Sequence, residues 1–202
     1  YKITCVLERQ AEQLYADKDY LAQALANTGI ASCTAGLVWA ILDKFIHQKV
    51  TTVGLMTGIV AGLVGVTPAA GFVDSTAAFF IGLTTPCICY FFIACVKAHF
   101  KYDDALDAFG CHGVGGVWGA LMTGVFCTKA VNEAGADGLL AGNPAQMIPQ
   151  ITGILVGIVM AVVVTAILIK FVGLFLRVRA TASEEAQGLD LIEHGERSYN
   201  KL

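Results

Sequence analysis

Charge is scarce in this chain. Asp, Glu, Lys and Arg make up 14% of its 202 residues against 56% hydrophobic ones, so ionic surface is too sparse for an ordinary soluble exterior. No basic stripe exists, and the few cations sit between apolar segments, which excludes a nucleic-acid surface. The charged N-terminus lacks an apolar h-region, so no signal peptide is read there. Metal ligands are also wanting. Of the seven cysteines, Cys33, Cys87, Cys89, Cys95, Cys111 and Cys127 lie in or beside apolar runs, where a thiol packs as a small hydrophobe. Cys87-Ile88-Cys89 with Cys95 has no companion histidine or acid nearby to complete a soft-metal site. Neither a metal nor a cofactor is expected.

What the chain does have is apolar length. Five blocks run Leu21 to Leu42, Val50 to Pro68, Thr76 to Val96, Ala105 to Phe126 and Met147 to Val178. Each approaches the roughly 20 residues that a helix needs to cross a bilayer core. The expectation is an all-α polytopic membrane protein with five transmembrane helices. The first block opens on polar Gln23, Asn27 and Thr28, and the last is long enough to tilt or to protrude. Lys44 and Lys49 join the first pair of blocks, Lys97 and Lys101 the third and fourth, and Lys170, Arg177 and Arg179 close the fifth. The opposite loops carry Asp74, Lys129, Glu133 and Asp137, so the Lys/Arg-rich side faces the cytoplasm, together with the tail 181–202. The protein is thus placed in the cell membrane. Residues 1–20, with Glu8-Arg9 and Asp17-Lys18-Asp19, read as an extramembrane segment, with a short amphipathic helix as one form it could take.

Gly54, Gly58 and Gly62 recur every four residues, with Gly65 just beyond, which predicts a helix face made for close backbone packing. Thr67 precedes Pro68 at the outer end of that span. Its hydroxyl either satisfies a carbonyl freed by the proline or points into a pore. His112 stands among Gly110, Gly113, Gly115 and Gly116 inside an apolar span, where an ionisable group by default marks a path for an ion, a proton or a polar guest. Close glycines would strip water from the imidazole and hold it neutral, with one donor and one acceptor. Asp103 and Asp104 suit the N-terminus of this helix as caps; Asp107, one turn deeper, needs a partner.

With those residues in hand, the chain resembles the ammonium transporter family. The likeness rests on Asp103-Asp104-Ala105-Leu106-Asp107-Ala108-Phe109-Gly110-Cys111-His112-Gly113-Val114-Gly115-Gly116. It is supported by residues 61–71, by Ala24-Leu25-Ala26-Asn27-Thr28 and by the tail run from Gly188 to Tyr199, and it covers Leu21 to Leu202. The resemblance implies the last five spans of an eleven-span fold with inverted repeats, assembled as a homotrimer. It implies a narrow hydrophobic pore in each protomer, carrying paired histidines. His112 matches the second of the pair, and Thr67, Val60 and Ala108 match positions facing or adjoining the pore. The implied activity is recruitment of ammonium (or methylammonium as its analogue) from the outside, deprotonation, and passage of ammonia across the bilayer. In the tail, Gly188, Asp190, His194 and Gly195 match a regulatory signature, and the implied partner is a small PII-type signalling protein at the cytoplasmic mouth. Ile192 stands where plant members carry a phosphorylatable threonine, which leaves Ser183 and Ser198 as weaker candidates.

The departures matter as much. The first six spans and the first pore histidine have no counterpart here, and His47, His99 and His194 are all placed in the cytoplasm, so none can replace it. The chain alone is therefore expected to conduct nothing unless a companion chain completes the pore. A non-conducting regulatory or assembly partner, and an ammonium sensor, are the alternatives.

Overall fold

A computed structural model describes residues 18–197 of the chain. The charged N-terminal segment up to residue 17, and Ser198, lie outside the described residues. Every regular element among the described residues is helical. The chain divides into two units, Tyr1–Ile154 and Leu155–Leu202.

In the first unit, α1 (Lys18–His47) and α2 (Thr52–Val66) form an antiparallel pair, followed by α3 (Ser75–Phe91). A π-helical turn, Phe92–Lys97, and a last α-turn, Ala98–Phe100, prolong α3. After an irregular stretch, a second π-helical turn, Phe109–Val114, leads into α4 (Gly115–Phe126). Among the described residues, three helical stretches are long and apolar enough to span a bilayer: Tyr20–His47, Ser75–Phe100 and Pro144–Gly173. The second expected span is a shorter helix of 15 residues, and the fourth is split between the π-turn and α4 rather than running from Ala105. Pro68 accounts for the first shortening. It cannot donate a backbone hydrogen bond, and beyond Thr67 the block finishes as turns around buried Ala69 and Val73.

The glycine face packs as predicted. A methyl group on Gly62 would lie 2.5 Å from the Ala35 Cβ and 2.6 Å from the Ala31 carbonyl oxygen, so α1 and α2 touch backbone to backbone. A methyl group on Gly82 of α3 would lie 2.5 Å from the same Ala31 carbonyl oxygen. On Gly65, an added carbon would meet Thr85 of α3, and on Gly119 the carbonyl of Gly65. Four helices therefore converge where side chains are absent. Apolar contacts of Ile81, Val66, Val73 and Ala31 fill the rest of this core, and Trp39 sets its indole edge-on to Tyr90 at 5.1 Å.

The polar opening of α1 acquires a structural role. Asn27 is fully buried, and its amide donates to the carbonyls of Ala70 (2.8 Å) and Val73 (2.7 Å) in the α2–α3 connection. Those carbonyls belong to irregular backbone that lipid could not satisfy. The loop after α4 joins the same corner through Asn132, whose amide donates to Gly71, and through the Thr128 N–H, which donates to Phe72. Among the cysteines, Cys89, Cys111 and Cys127 are buried, whereas Cys33, Cys87 and Cys95 are exposed in this chain.

Helix α5 (Met147–Gly173) begins in the first unit, where Gly124 of α4 packs on Met147 and Gln150, and runs on into the second. It ends at Gly173, short of the predicted Val178, and Leu174–Leu176 close it in a turn. In the second unit Leu155, Val156, Val159, Met160, Val163 and Val164 of this helix are left bare.

Gly62→Ala is expected to destabilise the helix core by ~1–3 kcal/mol, the usual cost of overpacking. Gly29→Ala, with nothing within 4 Å of the new methyl, should stabilise slightly through helix propensity. Thermal unfolding of the detergent-solubilised variants checks both directions.

Candidate functional site

The second π-turn is the local origin of the site. Each turn of a π-helix holds about one residue more than an α-turn, so residues within it are rotated relative to a continuous helix. The turn starts from Asp107, whose backbone lies in the left-handed region at φ 55°. Asp104 caps it. Its carboxylate accepts from the Ala108 N–H at 2.8 Å and from the Phe109 N–H at 3.0 Å, one oxygen each. Asp107 finds the partner its depth demanded, accepting from the Lys97 ammonium at 2.6 Å. Asp103 stands beside this knot and is exposed.

The turn carries His112 into a groove of about 440 Å³. One bank is a face of α2, with Val53, Met56, Thr57 and Val60; the other holds Leu106, Ala108, Cys111 and His112. Of the residues singled out in the sequence, His112, Val60 and Ala108 come together here. Thr67 does not: its hydroxyl donates at 2.6 Å to the Leu63 carbonyl, which also accepts the Thr67 N–H and so is not one freed by Pro68. The expected enclosure of His112 by glycines is not supplied by this chain either. Gly110 turns to Ile93 and Gly115 to Cys89, so these glycines seat the turn against α3 and its extension while the imidazole stays exposed. The sequence reading did not place Lys97, Met56, Thr57 or Cys111 at the site. Lys97 was legible only as a loop cation, since nothing in its spacing ties it to Asp107.

The tail residues occupy two short helices, α6 (Ala182–Gln187) and α7 (Leu189–His194). Gly188 joins them at φ 101°, and Gly195 ends α7 in the left-handed region at φ 70°, donating to the Leu191 carbonyl. Both conformations favour glycine, which accounts for the two glycines of the tail signature. Asp190 lies in the first turn of α7 and accepts the Glu196 N–H on its backbone carbonyl; His194 lies in the last turn. A capping box opens α6, with Thr181 and Glu184 exchanging hydrogen bonds, and the Arg177 guanidinium donates to Glu184 at 2.7 Å. The Thr181 N–H first, then Arg177 and the Thr181 hydroxyl, hold the Glu184 carboxyl down at about 2.

Taken together, these helices and this groove define a polytopic membrane protein with a histidine facing an apolar cleft. Residues 10–199 match the Ammonium Transporter Family, and the chain belongs to that family. The match begins within the charged N-terminal segment, earlier than the likeness read from Leu21. The ammonium transporter of Bacillus subtilis is 46% identical over 176 residues, covering 87% of this chain and 44% of that protein. The ammonium transporter MEP2 of Saccharomyces cerevisiae is 37% identical over 188 residues, covering 88% and 38%. The crystal structure of Saccharomyces cerevisiae Mep2 superposes with a TM-score of 0.74 at 37% identity, over 81% of this chain and 38% of that one. A structure described as a sensor Amt protein gives a TM-score of 0.74 at 26% identity, over 86% and 42%. The chain thus spans about two fifths of the length of the curated relatives it matches. Those relatives are transporters rather than enzymes.

The Glu184 cap carries a pH signature. Its pKa is depressed on folding, so its contribution to α6 is complete above the ordinary carboxyl value of 4.5 and disappears as pH falls through about 2. Amide hydrogen exchange at Glu184 and Glu185 should show protection that is flat above pH 5 and declines below it, after correction for intrinsic exchange. Thr181→Val should weaken that protection at every pH.

Proposed function

We propose that this chain supplies one wall of an ammonium-conducting pore, with His112 as its polar point. The observation that carries the reading is the groove in which His112 meets Val60 and Ala108, lined otherwise by apolar side chains with Thr52, Thr57 and Cys111 and by no charged group. A bare ammonium ion crossing such a lining would forfeit its hydration, whereas neutral ammonia would forfeit far less. The favourable route is therefore deprotonation before entry, with the His112 imidazole as the polar contact for the passing molecule. Potassium has no proton to lose and is left facing the full desolvation cost.

The exposure of His112 supports a further point: the opposite wall comes from helices outside the described residues. A second histidine on that wall would complete the pair. We place the Lys-rich loops and the tail in the cytoplasm, and we assign the tail to regulation by contact with a soluble partner of PII type in a homotrimeric assembly. An ammonium sensor is the second reading, favoured by the likeness to the sensor Amt structure. The two are told apart by whether ammonium crosses the membrane or only alters a cytoplasmic response.

Methylammonium uptake by cells lacking their own transporters tests the proposal. The chain alone should give none. The intact protein carrying this sequence should take up methylammonium, and His112→Ala should lower that uptake at least about tenfold, the scale of losing one positioned polar contact of ~1.4 kcal/mol or more. His112→Glu should admit potassium, because a fixed negative charge favours cations in the lumen. Uptake by the chain alone that survives His112→Ala would contradict the proposal.

A further inference from the structure

The part of the molecule least explained by a conducting wall is the fastening behind it. Lys97 ends the first π-turn and is the residue that ties it to the second. Its ammonium donates to the Asp107 carboxylate at 2.6 Å and to the Asp104 backbone carbonyl at 2.5 Å. Both side chains of the Lys97–Asp107 pair are partly buried, at 28% and 30% exposure. Partial withdrawal from water makes a charge-assisted contact stronger than a surface ion pair.

What Lys97 grips is the start of the segment bearing His112. Asp104 closes a turn by accepting the Asp107 N–H at 3.2 Å, and its carboxylate caps Ala108 and Phe109. Asp107 sits in the left-handed region, a conformation that costs a non-glycine residue about 1–2 kcal/mol. Its carbonyl accepts the Cys111 N–H at 2.9 Å, one residue before His112. The π-turn runs directly on into α4, where the Gly115 N–H donates to the Cys111 and His112 carbonyls, so its far end is held by that helix and its near end by Asp104 and Asp107. The chain from Lys97 through Asp107 to Cys111 is therefore the connection by which the end of α3 can set the rotation of His112.

We infer that Lys97 is a positioning residue: through Asp107 it holds the π-turn in the register that points His112 into the groove. The inference rests on the role given to His112 in transport, but its central claim can be read without transport. Cys111 is buried at 4% exposure on the same turn, so its thiol reports whether the turn stays seated.

The test uses the intact protein carrying this sequence, with the other cysteines replaced so that Cys111 is the only thiol. Alkylation of Cys111 by a small maleimide is followed together with methylammonium uptake per molecule and its inhibition by potassium. Lys97→Met should speed alkylation about tenfold or more, as expected when a charge-assisted contact is removed from a locally stable segment. It should lower uptake and narrow the discrimination against potassium. Lys97→Arg, which keeps a charged donor, should restore all three readouts. Asp107→Asn should reproduce Lys97→Met, and the double variant should be no worse than either single one; it also serves if Lys97→Met does not reach the membrane. Unchanged Cys111 protection in both single variants would overturn the proposal. So would faster alkylation with uptake and selectivity intact, provided that His112→Ala abolishes uptake in the same background. Uptake indifferent to His112→Ala would instead overturn the transport role, while the Cys111 result would still decide whether Lys97 holds the turn.

Discussion

Backbone-to-backbone contact at glycine is the constraint on which the rest of this structure depends. In lipid, helices gain nothing from hiding apolar side chains from one another, so association rests on close packing. Here Gly62 and Gly82 approach the Ala31 carbonyl from two helices, and Gly119 sits on Gly65. A side chain at Gly62, Gly82 or Gly119 would meet backbone of the facing helix at under 3 Å, so the helices would have to shift. The backbones of α1 to α4 are thereby fixed with little freedom to slide, and the position of α2 relative to the second π-turn follows from that.

Polar groups are spent at the places where regular helix fails. Asn27 fastens the α2–α3 connection, Asn132 ties the loop after α4 to it, and Asp104 caps the π-turn. Each satisfies backbone that neither a helical ladder nor lipid could satisfy. His112 is not engaged in such service; it is exposed and turned to a groove. That contrast is the physical reason to treat it as functional and to read its neighbours as support.

Much of this was legible in the residues. The spacing of Gly54, Gly58 and Gly62 declared a packing face because a period of four is a geometric property of helices. Asp104 was legible as a cap, and His112 as an ionisable group misplaced in an apolar run. The irregularities were not legible. Nothing in Phe92–Lys97 or Phe109–Val114 announces a π-turn, because the widened turn is stabilised by what lies across from it, Ile93 against Gly110 and Lys97 against Asp107. For the same reason Lys97 read as one more cytoplasmic charge. The predicted enclosure of His112 failed because Gly110 and Gly115 face α3 and its extension. Periodicity told how many small residues there were, not which neighbour each one served.

The account turns on His112 meeting its ligand in this groove. Solid-state NMR of the intact protein with nitrogen-15-labelled histidine, titrated with ammonium, addresses that directly, His112→Gln identifying the resonances. The account predicts that the His112 ring nitrogens shift saturably with ammonium and not with equal potassium. Ring resonances indifferent to ammonium at concentrations that saturate transport would contradict it.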